Sequence, residues 1–290
     1  MTHILTTPIA QQFLDTSAPH FDALLRHLAR VTKPFVLGIN GCQGSGKSTL
    51  AAFLAQQLNA KNIATLSLSQ DDFYLTRAER QQLAHRIHPL LATRGVPGTH
   101  DVSLAIAVLD KLARGEPTAV PHFDKHRDDR APSDQWHQQT QPLAVIIIEG
   151  WCMGCPPQSA AELAQPVNEL EARDDASGHW RQFVNDALAN TYPHWFARVD
   201  EWVMLQAPNF SCVQRWRSEQ ERQLLAQWRA SHEHTQVESP IGIMSAEQLA
   251  RFIAHYQRLT EHMLRTLPAR VDHLVTLNDQ RDITAVRSSR

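Results

Sequence analysis

Glycine is scarce in this chain, at 11 of 290 residues. That leaves no room for a glycine-built low-complexity tract, and no internal repeat is visible. Cysteine is scarce too: Cys42, Cys152, Cys155 and Cys212 are too few to suggest a disulfide framework. Cys152-Met153-Gly154-Cys155 has thiolate spacing, but no second pair exists to complete a four-ligand zinc site. Excess charge is missing. A formal net charge of −2 gives no basic field, so nucleic acid is not an expected partner. Long apolar runs are missing as well. The longest, Leu143 to Ile148, is far too short to span a bilayer, and Met1–Pro8 lacks the basic flank and apolar stretch of a signal peptide. These absences predict a soluble protein of a reducing cytoplasm, with no membrane partner.

What is present is concentrated. Between Gly38 and Gly46 the otherwise glycine-poor chain places Gly38, Gly41, Gly44 and Gly46, and residues 41–48 read Gly-Cys-Gln-Gly-Ser-Gly-Lys-Ser. This is G-x-x-x-x-G-K-[ST], preceded by the apolar run Phe35–Asn40 and followed by a helix-forming stretch, Thr49–Leu58. Glycines at 41, 44 and 46 permit backbone angles that turn successive N–H groups inward around phosphate oxygens, and the helix adds the positive end of its dipole. Gly41, Cys42, Gln43, Gly44, Ser45, Gly46, Lys47, Ser48 and Thr49 are therefore the nucleotide-binding candidates. Lys47 is expected at the β- and γ-phosphates, and Ser48 as a Mg²⁺ ligand. The chain is expected to bind a nucleoside triphosphate.

Strand-like runs recur at residues 63–69, 143–148, 202–205 and 274–277; a helical stretch at 19–30 leads into the first strand, and another at 103–114, capped by Asp101, follows the second. Such alternation implies a parallel sheet covered on both faces. In such a sheet, ligands sit off the carboxyl ends of the strands, which makes neighbours of Gly41–Ser48, Gln70–Tyr74 and Glu149–Gly150. One of Asp71 and Asp72 can then face the γ-phosphate as base, since successive side chains of an extended segment diverge. Glu149, at the end of an apolar strand, is a candidate outer-shell Mg²⁺ or water-positioning acid. The polar stretch 206–245 reads as an inserted helical lid.

A family resemblance follows from these segments. The glycine loop, Ser69–Tyr74, Pro121–Asp124 and Ile148–Gly150 resemble the uridine kinase, phosphoribulokinase and pantothenate kinase group. Arg94-Gly95-Val96-Pro97-Gly98-Thr99-His100-Asp101, Glu149-Gly150-Trp151-Cys152-Met153-Gly154, Arg215–Glu221 and Gly242–Ser245 are similar to the plant-type D-glycerate 3-kinase family. The resemblance implies a three-layer α/β P-loop NTPase fold, with a mainly parallel five-stranded sheet flanked by helices plus the helical lid. Residues 1–290 would form one kinase domain, with acceptor-binding segments at 75–142. It implies transfer of the γ-phosphoryl group of ATP, with Mg²⁺, to the 3-hydroxyl of D-glycerate. By motif position Asp71 becomes the base, and Lys47, Ser48 and Glu149 take the phosphate, metal and acidic roles. Arg215, Arg217 and Arg222 become candidates to close over the phosphates. One departure is Phe123-Asp124-Lys125-His126, where the family often has Tyr-Asp-Lys-Ser.

A small hydroxy acid needs cations for its carboxylate, and arginine's planar fork suits one. Arg94, Lys125 and Arg130 lie between the second and third strands, where acceptor contacts are expected, as do Tyr74 and His100. Two other readings stay open. Another small alcohol, such as uridine or pantothenate, could be the acceptor, or the chain could be a regulatory ATPase without one. A GTPase is excluded by the lack of an Asn-Lys-x-Asp segment.

Overall fold

The computed structural model describes residues 18–32, 34–231 and 244–289. Six strands form the central sheet: β1 (Phe35–Gly41), β2 (Thr65–Ser69), β3 (Val145–Gly150), β4 (Glu201–Gln206), β5 (His273–Leu277) and β6 (Ile283–Ser288). Their order is β6-β5-β4-β1-β3-β2. The first five run parallel, and β6 turns back antiparallel on β5. All five expected strands form, and β6 extends the sheet beyond the expected five. It lies almost wholly exposed at the edge, so no burial pattern marked it in the sequence. By contrast β1 and β3 are buried on both faces, as a run such as Val145-Ile146-Ile147-Ile148 requires.

The sheet divides two apolar cores. Leu37, Ile39, Val145, Ile147, Val203 and Leu205 face one side, with Leu50, Leu54 and Leu58 of α2 (Lys47–Ala60) and Leu24, Leu25 and Leu28 of α1 (Asp22–Leu28). Val36, Ile146, Ile148 and Met204 face the other, with Phe73, Val108, Leu109, Trp195 and Tyr256. Between β2 and β3 run α3 (Arg77–Arg86), α4 (Val102–Ala113) and two small antiparallel hairpins, Thr118–Val120 with His137–Gln139 and Phe123–Asp124 with Asp129–Arg130. Asp101 caps α4 as expected, accepting from the Leu104 N–H at 3.0 Å. Then come α5 (His179–Asn190), α6 (Phe210–Ser231) and α7 (Ala246–Thr266). The expected lid begins in α6, while its residues 232–243, including Gly242 and Ile243 of the family motif, lie outside the described residues.

β1 is central, its first crossover leads to β2 on one side, and the chain later passes to β4 on the other. The crevice therefore opens at the carboxyl ends of β1 and β3.

Candidate active site

The loop after β1 forms a cradle. Gly44 (φ 79°) and Gly46 (φ 92°) adopt left-handed backbone, while Gly41 does not; it lies within β1, where a Cβ would come within 2.5 Å of Ser45 Oγ. The expectation that all three glycines use unusual angles thus holds at two. Gly46 is the N-cap of α2 and brings no side-chain acceptor, so the N–H groups of the first turn, including those of Lys47, Ser48 and Thr49, face outward for an anion. Cys42 is buried, and burial pushes its thiol up to about 12, so it packs rather than reacts.

Glu149 lies inside β3, one step further into the strand than the sequence suggested, paired in register with Ile39 and Ser69. Its Oε1 accepts from Ser48 Oγ at 2.8 Å, and its Oε2 lies 3.8 Å from Lys47 Nζ, buried and otherwise without a hydrogen bond. A buried carboxylate oxygen beside a serine hydroxyl suits a hard, oxygen-seeking cation. Among the described residues no cluster of three or more His, Cys, Asp or Glu could hold a metal. Ser48 and Glu149 are the residues that would hold Mg²⁺ beside a bound phosphate, whose oxygens would supply its remaining ligands.

Asp71 and Asp72 sit in a single 3-10 turn, Gln70–Phe73, rather than in extended chain. Their side chains still part. Asp71 Oδ1 accepts from the Tyr74 hydroxyl at 2.9 Å and Oδ2 from Lys125 Nζ at 2.7 Å. Burial would raise this carboxyl, but the Lys125 and Lys47 ammoniums and both hydrogen bonds outweigh burial and hold it well below the usual carboxylate range. Asp72 instead accepts from the Phe123 N–H at 3.0 Å and faces His122 Nδ1 at 3.2 Å; burial raises it. Asp71 belongs to the crevice and Asp72 to the hairpin.

Several of the residues expected at the acceptor gather around Tyr74. His100 stacks on its ring with centroids 4.5 Å apart, and Phe123 meets it edge-on at 5.2 Å. Burial pushes His100 down to about 3, so the imidazole is neutral. The Tyr192 hydroxyl accepts from the Gly98 N–H at 3.0 Å and lies 2.6 Å from His100 Nδ1, within hydrogen-bond distance. Arg94 lies over the Phe123 ring at 5.3 Å and pairs with Asp128. Lys125 is raised by the Asp71 charge, and Glu149 of β3 acts on it as well. Arg130 is the strand partner of Phe123, but its side chain turns away to pair with Asp101 at 3.2 Å and Glu79 at 3.6 Å, fixing the hairpin to the starts of α3 and α4.

The α6 arginines divide. Arg215 reaches Asp279 in the β5–β6 turn, at 3.1 Å from Oδ2. Arg217 acts electrostatically on Tyr256 of α7, whose hydroxyl donates to the Arg94 carbonyl at 3.1 Å. Arg222 is exposed.

Several framing residues escaped the sequence reading. Asn40 donates to the carbonyls of Trp151 (3.2 Å) and Met153 (2.7 Å), and Gln70 donates to Cys152 Sγ at 3.1 Å, so the turn after β3 is tied to the ends of β1 and β2. Trp151 Nε1 donates to the Gly95 carbonyl at 2.8 Å, and its ring meets Tyr256 at 4.8 Å. Trp151 and Gln70 stood inside quoted motifs without a role; Tyr192 and Tyr256 lie far away in sequence and carried no signal.

Comparison with known proteins fits this geometry. Residues 36–157 match the Phosphoribulokinase / Uridine kinase family. The chain is 34% identical over 264 residues to an uncharacterised kinase, mug58, of Schizosaccharomyces pombe, covering 86% of this chain and 90% of that protein. This chain belongs to that kinase family. Within it, the chain is similar to P-loop kinases whose names include D-glycerate 3-kinase. It is 31% identical over 247 residues to the chloroplastic D-glycerate 3-kinase of Arabidopsis thaliana, covering 81% of this chain and 49% of that protein, about half its length. A solved D-glycerate 3-kinase from Cryptococcus neoformans superposes with a TM-score of 0.70 at 24% identity, covering 97% of this chain and 99% of that one, a likeness of fold. The chain is an ATP-dependent phosphotransferase acting on an alcohol group. No helix among the described residues is long and apolar enough to cross a membrane.

Proposed function

We propose that this kinase transfers the γ-phosphoryl group of ATP to a hydroxyl of a small hydroxy acid, D-glycerate, giving 3-phosphoglycerate. The observation that carries the reading is Asp71: a carboxylate at the end of β2, within the field of Lys47 and touched by Lys125. Asp71 accepts the acceptor's hydroxyl proton in a loose phosphoryl-transfer transition state. Lys125 and Arg94 supply cations for the acceptor's carboxylate, His100 offers a neutral imidazole, and Tyr74 holds Asp71 in place. Lys47 and the loop N–H groups hold the phosphates. Bound Mg²⁺, held by Ser48 and Glu149, would neutralise charge developing on phosphate oxygens. Arg217, which acts electrostatically on Tyr256, is our choice for the arginine that meets the transferring group; Arg215 and Arg130 serve the framework in this reading. Residues 1–290 form a single kinase domain in this proposal, with 75–142 carrying the acceptor and 206–245 closing over it. All four cysteines are free and buried, which supports the reducing, cytoplasmic setting we expect.

An ADP-release screen over D-glycerate, L-glycerate, pantothenate, uridine and ribulose 5-phosphate tests the reading. D-glycerate should raise ADP release strongly above a slow acceptor-free rate, because closure over the site excludes water. Brisk ATPase activity indifferent to every acceptor would contradict it.

A further inference from the structure

Both oxygens of Asp71 are engaged: Oδ1 by the Tyr74 hydroxyl at 2.9 Å and Oδ2 by Lys125 Nζ at 2.7 Å. Each oxygen keeps a second lone pair, but proton transfer draws on the carboxylate's negative charge, which a contacting ammonium neutralises. A base so clamped is weak. One of the two donors has to leave before an alcohol can give up its proton there.

The two donors differ in freedom. Tyr74 is 3% exposed, stacked on His100 and wedged against Phe123. Lys125 sits at the exposed tip of the Phe123–Arg130 hairpin, its side chain 61% exposed. The far end of that turn is pinned. The Asp128 carbonyl accepts from Arg80 Nη2 at 2.6 Å, its side chain pairs with Arg80 and Arg94, and Asp129 accepts from the Arg77 N–H at 2.9 Å. Arg80 itself is 1% exposed. The hairpin stays while the four-carbon stem of Lys125 can swing.

We propose that Lys125 is a specificity switch: the carboxylate of the acceptor draws its ammonium off Asp71 Oδ2, and only then does Asp71 serve as base. This rests on the function proposed above. In the step that follows, the acceptor oxygen bonds to the γ-phosphorus as its proton passes to Asp71 Oδ2. The bond from phosphorus to the β–γ bridging oxygen breaks, and its electron pair leaves on ADP. A neutral alcohol of the same size has no charge to exchange for Asp71, so it binds beside a base that stays clamped. Discrimination against it then appears in kcat and not in binding alone.

Steady-state kinetics of the full chain with D-glycerate and with glycerol, its neutral counterpart, distinguish this from an ordinary carboxylate grip. In Lys125→Met, kcat/KM for glycerate should fall roughly 10- to 100-fold with the lost charged contact. The kcat for glycerol should rise about tenfold as the base is released. Lys125→Arg should keep both the cation and the discrimination. Nucleotide-induced thermal stabilisation checks that each variant is folded, and Lys125→Gln carries the same test should the Met variant not fold. A variant that loses glycerate through KM while glycerol gains nothing overturns this inference alone. Absence of glycerate turnover by the unsubstituted protein overturns the proposed function, and the inference with it.

Discussion

The charge on Asp72 holds the hairpin, through the Phe123 N–H and His122, whereas that on Asp71 faces Lys125, Lys47 and the phosphate loop. Substituting each by its amide separates the two. Asp71→Asn keeps the shape and removes the proton acceptor, so kcat should fall roughly 10²–10⁴-fold with the KM for ATP nearly unchanged. Asp72→Asn keeps an oxygen for the Phe123 N–H, so its loss should be much smaller and should fall on the acceptor's KM. Parallel kinetics on the two variants check this; a larger kcat loss at Asp72 would reverse the assignment. At this scale the sequence was readable where chemistry clustered in short segments, as at Lys47-Ser48 or Asp71-Asp72. It was silent where a role depends on burial and distance. Arg80 reads as one more polar helix residue, yet it is buried and holds the Asp128 turn. Tyr192 holds the His100 ring from 92 positions away.

Among the elements, α6 was legible as a helix in a polar insert, but its docking was not. Trp216 is buried against the phosphate loop, and its indole donates to the Asp279 carbonyl at 2.9 Å. A Cβ on Gly44 would meet Trp216 Cβ at 2.7 Å, a backbone-proximal atom that cannot swing aside, and at φ 79°. The glycine at this x position of the motif is therefore fixed by packing as well as by phosphate. Gly44→Ala should cost about 1–2 kcal/mol from the left-handed conformation alone, with the clash added. Either α6 shifts off the loop or the loop deforms, and both impair the phosphate cradle. Thermal shifts with and without ATP should show a lower Tm and a smaller stabilisation by nucleotide than in the unsubstituted protein. An unchanged response to ATP would mean that Trp216 and the loop are not coupled.

For the molecule as a whole, the fold was legible because β1 and β3, buried on both faces, leave nearly unbroken apolar runs and β2 alternates apolar with small polar residues, whereas the exposed edge strand β6 carries no burial pattern. Burial of polar groups has a global consequence. His100, its pKa depressed to about 3 by burial, is neutral in the fold but protonates near its ordinary value of 6.5 once unfolded. His255 and His262 are also lowered, by burial first. Between the folded and unfolded values the unfolded chain binds more protons, so stability rises with pH across that window and is flat above it. On acidification from pH 8, loss should begin near pH 6.5 and steepen by up to about 1.4 kcal/mol per pH unit for each such histidine. Asp71 adds no loss there, because its depressed carboxyl stays ionised until far more acidic conditions. Activity lost between pH 6.5 and 5 should therefore track unfolding and not titration of the base. Urea denaturation at pH 5, 6, 7 and 8 measures the slope, and His100→Gln, which cannot titrate, should flatten it by about one proton. A urea midpoint constant from pH 5 to 8 in the unsubstituted protein would show that these imidazoles are not held neutral by the fold.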